Sequence, residues 1–151
     1  LKVQRVLEIG VAAGASLKMW RDYFVSAQIH GVDLVSIPSV FGDRVTLHVL
    51  DQEDEAGLER LGKEFGPFDL VVDDGGHTMK QQQTSFKVLE KYVTKDGLYV
   101  VEDLHSSFCG KPYGVEKAED TTLAVLARLR EALIFSSASS GSIVGIVRRG
   151  Q

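Results

Sequence analysis

The sequence predicts an α/β fold: a doubly wound, mostly parallel sheet with helices on both faces and a C-terminal antiparallel hairpin. Three observations carry that expectation. Short apolar runs of strand length alternate, end to end, with segments whose apolar residues recur at helical spacing, the pattern of successive βα units. Glycine, proline and small polar residues punctuate the junctions. Four of the strand-like runs end in or beside a carboxylate, which would gather acids at one edge of one sheet.

Val3–Ile9 is a short apolar strand, and residues 10–16, Gly-Val-Ala-Ala-Gly-Ala-Ser, form a tight small-residue turn. Ser16 is the expected N-cap of a helix on which Leu17, Trp20 and Phe24 share a face. Ile29–Leu34 is a second strand with Asp33 near its tip, and Val45–Leu50 a third, followed by Asp51. Leu58, Leu61 and Phe65 mark the next helix, which Gly66-Pro67 stops. Phe68–Asp73 reads as a buried fourth strand. Met79–Val93 follows as a helix, with Met79, Phe86, Leu89 and Val93 on one face and Lys80, Lys87, Glu90 and Lys91 available for the other. Tyr99–Glu102 is the fifth strand and leads into a polar loop over residues 106–119. Leu123, Leu126, Leu129 and Leu133 carry a last helix. Ile134–Ser137 and Ile143–Val147 then flank Ser140-Gly141 as a hairpin. No repeat, linker or low-complexity stretch interrupts this order, so residues 1–151 are expected to form one domain.

Bulk properties narrow the function. A chain of 151 residues with 44% hydrophobic and 25% charged residues is an ordinary globular domain, able to bury roughly two-thirds of its unfolded surface. A net charge of −4 with scattered basic residues, Arg148-Arg149 being an isolated pair, argues against nucleic acid as the main partner. A single cysteine, Cys109, excludes an intramolecular disulfide and fits the cytoplasm. No apolar run approaches the ~20 residues of a membrane span, and no signal peptide is visible.

Chemistry concentrates at the strand tips. The fourth strand runs into Asp73, Asp74 and, three residues on, His77; the fifth runs into Glu102 and Asp103. Four acids and an imidazole at one sheet edge repel one another unless a cation or a hydrogen-bond network compensates, and that edge is where open α/β sheets bind ligands. Asp74, Glu102 and Asp103 offer only oxygen, which suits Mg²⁺ better than zinc. His77 is the candidate general base and His105 its competitor. At the first strand, Glu8, Gly10 and Gly14 depart from the dinucleotide pattern G-x-G-x-x-G. They suit a cofactor with an amino-acid portion and no phosphates. Asp33 can accept hydrogen bonds from a ribose, and Asp51 with Gln52 could meet an adenine edge. Each acid could instead be a helix cap or loop residue; it is their convergence that suggests a site.

The combination of Leu-Glu-Ile-Gly-Val-Ala-Ala-Gly at 7–14, Val-Val-Asp-Asp-Gly-Gly-His at 71–77, Gln82-Gln83-x-Ser85-Phe86 and Val-Glu-Asp-Leu-His-Ser-Ser-Phe at 101–108 resembles class I S-adenosylmethionine-dependent methyltransferases. More narrowly it resembles the metal-dependent sugar O-methyltransferases of macrolide biosynthesis, of the macrocin and mycinamicin type. The resemblance implies a Rossmann-like methyltransferase fold, S-adenosylmethionine and Mg²⁺ as cofactors, and a small-molecule acceptor with a sugar or polyol hydroxyl. It places Glu8, Gly10 and Gly14 at the methionine part of the cofactor, Asp33 at its ribose, Asp51 and Gln52 at the adenine and Asp73 near the amino group. Asp74, Glu102 and Asp103 would bind the metal and His77 would be the base. Such enzymes carry an N-terminal region that helps bind the acceptor and build oligomers, and the expectation is of a domain lacking it. A catechol-type O-methyltransferase, a nicotinamide-dependent oxidoreductase and a non-catalytic binding or assembly module remain as alternatives.

Overall fold

The computed structural model describes residues 2–37, 41–113, 115, 117–129, 133–137 and 143–148. Five strands, β1 (Arg5–Ile9), β2 (Gln28–Asp33), β3 (Val45–Val49), β4 (Phe68–Asp73) and β5 (Val93–Val101), pair in parallel. Helices α1 (Ala15–Tyr23), α2 (Glu55–Phe65) and α3 (Met79–Leu89) alternate with them, and α4 (Thr122–Arg128) follows. Strand β7 (Ile143–Arg148) pairs antiparallel with β5, and β6 (Leu133–Ser137) with β7, in the order β3-β2-β1-β4-β5-β7-β6. The expected turn at Ser140-Gly141 lies outside the described residues, as does Arg149.

Alternation along β1 explains how one strand serves two cores. Val6 faces one side, with Ile29, Leu17 and Ala27 under α1. Leu7 and Ile9 face the other, with Val71, Phe68, Leu58, Leu89 and Tyr99 under α2 and α3. Covered on both faces, the central strands need apolar residues at nearly every position, which is why they read as unbroken runs.

Three boundaries differ from the sequence reading. Gly14, in the left-handed region at φ 78°, precedes the first helix in place of Ser16, with no side-chain cap. The third helix ends at Leu89 and passes through a 3₁₀ turn (Glu90–Tyr92), so Val93 opens β5. There the register with β4 slips between Phe68 and Leu70, and a loop-like stretch before Gly97 is absorbed into the strand. The last helix stops at Arg128, and Leu133 belongs to β6. Among the described residues no helix is long and apolar enough to cross a membrane.

Candidate active site

Strand order reverses between β1 and β4, since the chain winds outward to β2 and β3 on one side and to β5 on the other. A crevice opens at the carboxyl ends of strands at such a switch point. The two tips are stitched together here, Asp74 N–H donating to the Ile9 carbonyl at 2.9 Å, while Gly10 N–H ties β1 to Val32 of β2 at 2.9 Å. Gly10 lies at φ 85°, and a Cβ on it would overlap the Asp74 carbonyl. Only glycine lets the two backbones approach so closely.

A cleft of about 290 Å³ occupies this edge, lined by Gly10, Ala12, Asp33, Asp51, Gln52 and Gly75 among others. Asp33 Oδ2 accepts from Val11 and Ala12 N–H at 2.9 and 3.0 Å, and Oδ1 from Val35 N–H at 3.2 Å. Burial acts to raise the Asp33 pKa, but these backbone donors outweigh it and hold the carboxyl below its usual range. The carboxylate is thus held by the backbone of the turn, Leu34 N–H included, while it lines the cleft. Asp51 is exposed, with Oδ1 accepting from Glu53 N–H at 2.8 Å.

Glu8, only 3% exposed, sits behind the cleft with its Oε2 buried and unpartnered. Burial, with Asp74 and Glu102 adding repulsion, pushes its pKa up to about 7 despite the nearby Ser16 hydroxyl and Trp20 indole. Ser16 lies inside the first turn of α1, one residue past Ala15, and so is not its N-cap. A buried carboxylate oxygen without a donor is a place for one to arrive.

Next to it lies the acid–histidine cluster. One donor atom each from Asp74, His77 and Asp103 fall within 4.8 Å of one another. His77 Nε2 lies 3.5 Å from Asp103 Oδ2 and 3.9 Å from Asp74 Oδ1, while Nδ1 is buried without a partner. His105 Nδ1 flanks the other Asp103 oxygen at 3.6 Å. His77 and Asp103 both adopt left-handed backbone, at φ 59° and 52°. Non-glycine residues pay for that conformation with strain, and it clusters at functional sites. Glu102 stands outside the compact triad but close enough to matter: burial and then Asp74 and Asp103 raise its pKa, and burial with Asp103 raises that of Asp74. Among the described residues, no lysine or arginine is ion-paired with Asp74 or Asp103, whose neighbours within 4 Å are histidines. Clustered, half-buried oxygens without lysine or arginine fit a hard divalent cation.

Asp73 is placed differently from the expectation. It is fully buried, does not line the cleft, and accepts from Gln52 Nε2 (2.7 Å), Tyr99 Oη (3.3 Å) and the Ser85 hydroxyl. Burial outweighs these donors and raises its pKa to about 6. Successive strand residues point to opposite faces, so Asp73 enters the α3 side while Asp74 meets the crevice. Gln52 lines the cleft, but both ends of its amide are already engaged. Ser85 and Tyr99 were not expected at the site. Ser85 follows the Gln82-Gln83 pair in sequence, yet nothing local shows that its hydroxyl meets a carboxylate twelve residues away.

No protein-family model matches the chain. It is 36% identical over 139 residues, 85% of its length, to the mycinamicin VI 2''-O-methyltransferase of Micromonospora griseorubida. It is 42% identical over 112 residues, 70% of its length, to a rhamnosyl-tetracenomycin-C 3'-O-methyltransferase of Streptomyces olivaceus. A solved structure of the mycinamycin-pathway methyltransferase MycE with Mg, SAH and mycinamycin VI superposes with a TM-score of 0.82 at 30% identity, covering 98% of this chain. The chain belongs with these O-methyltransferases. It spans 35% and 29% of the two curated relatives and 45% of the MycE chain.

Proposed function

We propose that this chain is the catalytic domain of an S-adenosylmethionine- and Mg²⁺-dependent O-methyltransferase acting on a hydroxyl of a sugar or similar diol-bearing small molecule. One observation carries the reading: a single sheet edge holds a nucleoside-sized cleft above Asp33 and, beside it, the Asp74–His77–Asp103 cluster. The sugar-directed names of the relatives support the acceptor class.

Gly10 keeps the backbone open at the cleft for the methionine portion of the cofactor, Gly14 packs against the Phe41 ring and shapes the turn behind it, and Asp33 accepts a ribose hydroxyl. Asp51 faces the adenine side, where Gln52 contributes the surface of its amide. The free Oε2 of Glu8 takes the amino group, the role expected of the buried Asp73. Asp74 and Asp103, with Glu102 behind them, would hold the metal, which lowers the pKa of a bound hydroxyl. S-adenosylmethionine supplies the methyl group on a sulfonium. His77 Nε2, facing the cluster, accepts the acceptor's hydroxyl proton. The oxygen electron pair so released forms the new C–O bond as the S–C bond breaks, and the remaining residues chiefly hold the two reactants in line.

The test is release of S-adenosylhomocysteine from S-adenosylmethionine with rhamnoside and catechol acceptors. Chelation by EDTA is expected to stop turnover and added Mg²⁺ to restore it. His77→Ala is expected to lower turnover by about 10²- to 10⁴-fold while product binding stays within a few-fold. Full activity in His77→Ala, or turnover indifferent to EDTA, would remove the base or the metal from the account.

A further inference from the structure

His77 occupies a backbone conformation that a histidine does not adopt without support, so what holds it there is a question with a structural answer. The residue before it, Gly76, donates its N–H to Gln52 Oε1 at 3.0 Å. The residue after it, Thr78, donates its N–H to Gln81 Oε1 at 3.2 Å, and its Oγ1 accepts from Gln81 N–H in a capping box. Both glutamines also line the cleft. His77 is therefore gripped on each side by a side chain that forms part of the cleft wall.

Of the two, Gln52 is the one whose anchorage lies outside ordinary helix capping. It is 5% exposed and its amide has a single sensible orientation. Asp73 can only accept when ionised, so Nε2 must point at it, 2.7 Å away, with Ser85 Oγ at 3.2 Å. Oε1 is then directed at Gly76. Asp73, itself fixed by Ser85 and Tyr99, is the buried post to which the bridge is tied. A Cβ on Gly75 would overlap Gln52 Oε1, so the loop is also packed against the amide.

We infer that Gln52 is a positioning residue: tied to Asp73 at one end and to Gly76 at the other, it couples the wall of the nucleoside cleft to the placement of His77. The inference deepens the methyltransferase reading and rests on it for what His77 does, but the positioning itself can be measured without cofactor or turnover.

The experiment is NMR on the whole chain with labelled histidine and backbone amides, the four imidazoles being assigned through single-histidine variants. Gln52→Met keeps length and volume but removes all three hydrogen bonds. It is expected to shift the His77 ring resonance and to speed Gly76 amide exchange at least tenfold, with protection of core amides such as Val71 retained. Gln52→Asn, which keeps the amide but shortens its reach, is expected to do the same, and serves if the first variant does not fold. In turnover, a displaced His77 is expected to lower kcat by about 100-fold. A folded variant with Gly76 protection and the His77 resonance both unchanged would overturn the inference. Failure of the wild-type chain to bind S-adenosylhomocysteine would instead count against the methyltransferase reading and leave the NMR result standing.

Discussion

Asp73 and Asp74 are adjacent and chemically identical, yet one is sealed in the core and the other stands at the crevice. Strand-tip position made the edge legible: Gly10, Asp33, Asp51 and Asp74 all line the cleft there, while Glu8 is buried within β1. What the sequence could not supply was the direction of each side chain at a strand's last residue, because a one-residue uncertainty in the strand end reverses the face. Glu102, just past the end of β5, stands outside the compact Asp74–His77–Asp103 cluster. Asp33 yields a prediction at this scale. With Val11, Ala12 and Val35 N–H groups on it, Asp33→Ala loses hydrogen bonds that shape the turn as well as the carboxylate that lines the cleft. Binding of S-adenosylhomocysteine, followed by calorimetry, is expected to weaken at least tenfold. Unchanged affinity would remove Asp33 from the nucleoside site.

Helix α3 begins directly after the histidine, so its capping box fixes both the element and the catalytic loop. Thr78→Ala removes the Oγ1 acceptor for Gln81 N–H and is expected to cost about 1 kcal/mol of stability, read from the shift of a urea denaturation midpoint at unchanged slope. It is also expected to lower turnover more than that small stability loss explains, since the residue after His77 is loosened; a purely additive stability effect would contradict this. Elements with strong apolar periodicity, such as α2 with Leu58 and Leu61, were plain in the sequence. Their ends were not. Val93 and Leu133 each continue a helical apolar pattern but pair in strands, because parallel pairing with Phe68 and antiparallel pairing with Val147 override local periodicity. Ser16 is not the cap because the left-handed Gly14 lets the helix start earlier, at Ala15.

At the scale of the molecule, two buried groups set opposite pH dependences. Glu8 has its folded pKa raised to about 7 from 4.5, so its favourable contribution is complete below pH 4.5 and is lost as pH rises through 7. His30, packed against His48 at 3.1 Å with Arg5 nearby, has its pKa lowered to about 4 from 6.5, chiefly by burial. Its contribution is complete above pH 6.5 and is lost as pH falls through 4. The windows overlap, and Asp73 and His48 add one shift of each sign. In EDTA, wild-type stability is therefore expected to be nearly flat between pH 4.5 and 6.5. Glu8→Gln is expected to tilt it, with stability falling toward pH 4.5 by up to about 3 kcal/mol relative to neutral pH. A steep wild-type curve with no change in Glu8→Gln would show that Glu8 is not buried as described.

The central claim is that the cleft between β1 and β4 receives the nucleoside of S-adenosylmethionine, and calorimetric titration of S-adenosylhomocysteine, with NADH as control, tests it most directly. The account predicts saturable binding of S-adenosylhomocysteine, weakened by Asp33→Ala, and none of NADH. Binding of NADH in its place, or of neither, would contradict it.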